Sequence, residues 1–142
     1  MRIDPIGLIV ITILLANAAH LDAASYFVNY TEGGDGNDGR SQTQAWKHCP
    51  GDPAATGQAA QAELAPGDTV FFKGGVSYVF TGDSGIELKW SGGPNRAITY
   101  DGNRSGHWGS GRARFTDNQG NKAIAAFSAG DLRHDLVFSF LD

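Results

Sequence analysis

Trp90 and Trp108 are the side chains of this chain best suited to ligand chemistry, because a flat apolar ring matches the face of a pyranose. Trp108 lies in a glycine-rich stretch, Ser105-Gly106-His107-Trp108-Gly109-Ser110-Gly111, and is the stronger of the two candidates for substrate binding. An aromatic packed under a loop is the competing reading for both. Lys89, Arg96, Arg104, Arg112 and Arg114 form a scattered basic set that would either line a groove for an anionic sugar or stay solvated. His48, His107 and His134 lack metal-ligand spacing, so no metal is assigned. Asp35-Gly36-Asn37-Asp38-Gly39 has the oxygen density of a Ca²⁺ loop but lacks its ordered ligand positions and distal Glu, which favours a plain polar turn. Cys49 is the single cysteine and reads as a small buried hydrophobe rather than a catalytic thiol. His48 is its neighbour in sequence, yet the spacing offers His48 no acid partner. Catalytic residues therefore stay unassigned.

The elements that must position these groups are short strands between tight turns. The clearest is Leu64-Ala65-Pro66-Gly67-Asp68-Thr69-Val70-Phe71-Phe72-Lys73-Gly74-Gly75. Pro66 presets a turn corner, Gly67 takes positive torsion at the next, and Asp68 accepts bonds from nearby amides. The apolar run Val70-Phe71-Phe72 predicts a strand covered on both faces. Further strands are expected at 26–30, 77–80, 86–90, 98–100, 113–116, 123–127 and 136–141. Ser41 predicts a short helix through Trp46, and Asp52-Pro53 predicts a second over 54–64, weakened by Gly57. The second would cover the open end of a stack of strands.

Several of these segments together resemble the amino-terminal part of secreted right-handed parallel β-helix proteins of the pectate-lyase-like superfold. They are Tyr26-Phe27-Val28-Asn29, the Gly33–Gly39 loop, Ala45 to Pro53, Pro66-Gly67-Asp68-Thr69-Val70, and Ala97-Ile98-Thr99-Tyr100-Asp101-Gly102-Asn103. The resemblance covers residues 25–103. It implies an all-β fold, a right-handed parallel β-helix whose first coils follow a short N-terminal α-helical cap. It also implies that Ca²⁺ and an Arg or Lys base act on acidic sugar in the longer protein, on central coils. None of those residues can be matched here, so no cofactor is assigned to this chain. A β-sandwich remains open on strand spacing alone.

The chain has 142 residues, 20 glycines, 18% charged residues and a net charge of −4. One domain is expected, and the absence of a basic stripe argues against nucleic acid as a partner. Arg2 followed by the apolar run 6–15 and Ala16-Asn17-Ala18 reads as an export signal over 1–23, with 24–142 as the mature domain. The apolar run is shorter than the about 20 residues that span a bilayer, so a secreted, extracellular monomer without membrane association is expected once the signal is removed. Leu136 to Asp142 is strand-like with no polar cap, which predicts a front portion of a longer solenoid. Asn29-Tyr30-Thr31 and Asn103-Arg104-Ser105 would accept glycans in a eukaryotic source. Two functions follow. One is an exported polysaccharide-active protein, lyase-like or hydrolase-like, with this part itself inactive. The other is a noncatalytic β-helix for carbohydrate binding or surface adhesion.

Overall fold

The computed structural model describes residues 22–80, 85–117, 127–129 and 133–142. The proposed export signal lies outside these residues over 1–21, as does the expected strand over 123–126. The fold is all-β, with strands β1 (Ser25–Val28), β2 (Thr69–Phe72), β3 (Ser77–Phe80), β4 (Ile86–Leu88), β5 (Ile98–Asp101), β6 (Arg114–Asp117), β7 (Phe127–Ala129) and β8 (Leu136–Ser139). They form one four-stranded sheet in the order β1-β2-β5-β8 and two pairs, β3-β6 and β4-β7. Every pairing between these strands is parallel, so the antiparallel layers of a β-sandwich are ruled out for the described residues. After β2 the chain visits the β3 and β4 sheets and returns as β5. It then visits the same two sheets as β6 and β7 and returns as β8.

Two-residue alternation sends one column of each strand inward. In the four-stranded sheet, Tyr26, Val70, Tyr100 and Phe138 are in register on the inner face. Phe72 meets Tyr78 and Phe115 edge-on at 5.2 Å, and Tyr78 stacks on Phe115 at 5.3 Å. The interior is thus a lattice of rings at spacings that favour offset and edge contacts. Tyr78 keeps its hydroxyl satisfied by donating to the Val28 carbonyl at 2.8 Å. The Tyr100 hydroxyl is buried with no hydrogen-bond partner among the described residues.

The Pro66-Gly67-Asp68 turn forms as expected. Gly67 has φ +95°. Asp68 is buried, and its carboxylate accepts the amides of Ala24 at 2.7 Å and Ala65 at 2.8 Å. The turn thereby fastens the start of the described chain to the head of β2.

Three expectations need correction. The run Val70-Phe71-Phe72 is not covered on both faces: Val70 and Phe72 are fully buried, whereas Phe71 points outward and is half-buried. The segment after Ser41 makes only a single 3-10 turn over Gln42–Gln44, because Ala45 turns extended. The alanine-rich segment is helical only over Gly57–Gln61 (α1). Gly57, at φ +50° and against the Asp35 carbonyl, marks its start, and Ala62 leaves it in extended conformation. Nor does this helix pair the outer edge of β1. That edge is satisfied by Gly39 to Trp46: Phe27 N–H donates to Gly39 O, and Trp46 N–H to Phe27 O. Trp46 then stacks on Tyr26 at 5.0 Å, closing the inner column.

Candidate carbohydrate-binding face and an adjoining polar cavity

The outward column of the four-stranded sheet runs Phe27, Phe71, Asp101, Ser139. Parallel register places the Phe27 and Phe71 rings in a stack at 5.4 Å, and Trp108 meets Phe27 edge-on at 5.4 Å. Three half-buried rings therefore make one outer aromatic row. Beyond it Asp101 is occupied, accepting the Arg104 amide at 2.7 Å and the Ser139 hydroxyl at 3.2 Å. Lys73, on the same outward alternation as Phe71, pairs with Glu32 at 2.6 Å.

The loop that presents Trp108 is built by Asn103. This residue is buried, with φ +79°. Its amide donates to the carbonyls of Gly109 and Gly111, and its side-chain oxygen accepts the Trp108 amide at 3.0 Å. Gly74 N–H donates to the Trp108 carbonyl at 2.9 Å, locking the loop to the end of β2. A Cβ at Gly74 would collide with Asn103 Nδ2 and the Gly111 carbonyl, so this close approach requires glycine. Asn103 therefore has no free amide for a glycan. Asn29 is also buried, and its amide donates to Glu32 Oε2 at 3.0 Å.

Trp90 follows β4 and packs, half-buried, against the core, with no ring contact to Trp108. Lys89 lies 3.7 Å from Glu87, Arg112 covers the Phe140 ring at 4.7 Å, and Arg114 belongs to β6. Phe27 and Phe71 carry no local signal as candidate site residues; what marks them is the outward parity of two strands that pair in register.

A second cluster lies under the glycine–aspartate loop. Asp35 Oδ2 meets His48 Nδ1 at 2.7 Å, and Oδ1 accepts the His48 amide at 2.8 Å. The amide and hydroxyl of Thr56 also donate to Oδ2, at 3.0 and 3.2 Å. His48 thus has an acid partner that spacing alone did not reveal. Burial raises the Asp35 carboxyl, but the bonds from His48 and Thr56 and the His48 charge outweigh it and hold the group below its ordinary range. Both Asp35 oxygens are thus committed to donors from His48 and Thr56, the bonding of a polar turn. No group of three or more His, Cys, Asp or Glu among the described residues is arranged to hold a metal.

His48 and Asp52 also line a cavity of about 280 Å³, together with Tyr30, Pro53, Val79 and Phe80. Cys49 beside them is fully buried, and that burial pushes its thiol well up, consistent with a packing role. No helix among the described residues is long and apolar enough to cross a membrane. No protein-family model matches the chain, and no curated protein matches it.

Proposed function

We propose that this chain is the N-terminal part of an exported, polysaccharide-active right-handed parallel β-helix protein. Its contact with acidic glycan is the row Trp108, Phe27 and Phe71. The repeated circuit through three parallel sheets supports the fold reading, and a parallel return to the same sheet is right-handed as a rule. The single observation that carries the function is the outer aromatic row, two stacked rings with a third set edge-on against them, half-buried on the outward side of the sheet. At the other edge of the sheet, β8 leaves Val137 and Phe138 exposed by 44% and 45%, and Phe140 just after it is exposed by 39%. Phe138 belongs to the inward column, so its exposure supports a further coil stacked on β8. Asp101, the acid on the row's own column, is held by Arg104 and Ser139, which favours binding over cleavage by this part. A noncatalytic extracellular β-helix for carbohydrate binding or adhesion would use the same row.

Titration calorimetry of wild type and Trp108→Ala against an acidic polysaccharide tests the proposal. Wild type binds, and the variant loses about tenfold in affinity, equivalent to ~1.4 kcal/mol. Equal affinities would overturn it.

A further inference from the structure

The cavity beside the Asp35–His48 pair shares no lining residue with the aromatic row and has its own chemistry. The rings of Tyr30 and Phe80 and the aliphatic surfaces of Val79 and Pro53 supply apolar walls, while His48 and Asp52 supply the polar groups. His48 Nδ1 is committed to Asp35, so Nε2 is the ring nitrogen left for a ligand. Asp52 Oδ1 accepts the Ala54 amide at 2.8 Å, and Oδ2 has no partner among the described residues. Burial pushes the Asp52 carboxyl up, Ala54 and His48 pull it back, and the Asp35 charge raises it further. Asp52 thus keeps one carboxylate oxygen for a cation in the cavity it lines. Aromatic faces next to a carboxylate suit an ammonium group. The Tyr30 ring already takes one ammonium within this chain: Lys47 Nζ lies 5.4 Å from its centre.

We propose that this cavity binds a small hydroxylated primary amine of the amino-sugar class. Its ammonium is held by the Asp52 carboxylate against the Tyr30 ring, and a ligand hydroxyl hydrogen-bonds with His48 Nε2. The site stands whether or not the aromatic row binds glycan.

Glucosamine and glucose, which share a ring and differ at one substituent, are the probes for calorimetric titration of the full chain at neutral pH. Glucosamine is expected to bind and glucose to give no heat over the same range. Asp52→Asn keeps the acceptor for the Ala54 amide and deletes the charge, and should weaken glucosamine by about tenfold or more. Equal binding of the two sugars, no binding of either, or full glucosamine affinity in Asp52→Asn would overturn the proposal. Val79→Phe, which fills the cavity from β3, covers the case in which Asp52→Asn does not fold. With its thermal melt retained it should abolish glucosamine binding, and undiminished binding there would equally overturn the site.

Discussion

The Asp35 carboxylate and the His48 imidazole meet at 2.7 Å, and this contact joins the glycine–aspartate loop to the segment leading into α1. The Asp35 carbonyl adds to the joint by accepting the amides of Gln58 at 2.8 Å and Ala59 at 3.1 Å. One residue therefore serves as acceptor for two stretches of chain.

Replacing Asp35 by Ala leaves the donors of His48 and Thr56 without their acceptor, and should cost about 2–4 kcal/mol in urea denaturation. The pH dependence has a definite sign. The folded-state carboxyl is held below its ordinary range, so its contribution is complete above the unfolded value of about 3.9 and is lost as pH falls through the lower folded value. Asp35→Asn should be less stable than wild type at neutral pH, and the gap should narrow on acidification through that window. A gap that stays constant with pH would contradict this.

The two interior tyrosines should respond in opposite ways to loss of the hydroxyl. Tyr78→Phe removes the bond to the Val28 carbonyl and should cost about 1 kcal/mol. Tyr100→Phe removes a buried hydroxyl with no partner among the described residues and should leave stability unchanged or raise it. Parallel chemical denaturation of the two variants gives the comparison.

Gly67→Val places a β-branched residue at φ +95° and should destabilise the β2 turn by about 1–2 kcal/mol. Gly36→Ala is the control, since a Cβ there meets nothing within 4 Å and its torsion is unrestricted. A lower melting temperature for the first and an unchanged one for the second is the expected pair.

Trp108→Ala and Asn103→Ala should separate glycan contact from loop positioning. Trp108 contributes one edge contact to Phe27, so its removal should cost about 1 kcal/mol of stability or less while glycan affinity falls. Asn103 holds the loop through three hydrogen bonds. Its loss should lower both stability and affinity although the side chain touches no glycan.

Much of the strand pattern is legible in local chemistry. Ser77-Tyr78-Val79-Phe80 and Ile86-Glu87-Leu88 alternate as half-buried strands do, and Pro66-Gly67-Asp68 names its own turn. The site is less legible, because it depends on register. That Phe27 lies beside Phe71 follows from pairing two strands more than forty residues apart, which no local window contains. The helices are shorter than propensity predicts for a related reason. Alanine content predicts propensity, whereas Gly57 at positive φ and the Asp35 acceptors decide where α1 starts. Asp35 and His48 are likewise joined by a loop geometry that composition does not encode.

The central claim is that the outer aromatic row is the glycan contact. Amide chemical-shift mapping with an acidic oligosaccharide tests it most directly. The account predicts perturbations confined to Phe27, Phe71, Lys73 and the 104–111 loop, with the residues around His48 and Asp52 silent. Perturbations centred on Trp90 or on the β3-β6 sheet, or none at saturating ligand, would contradict it.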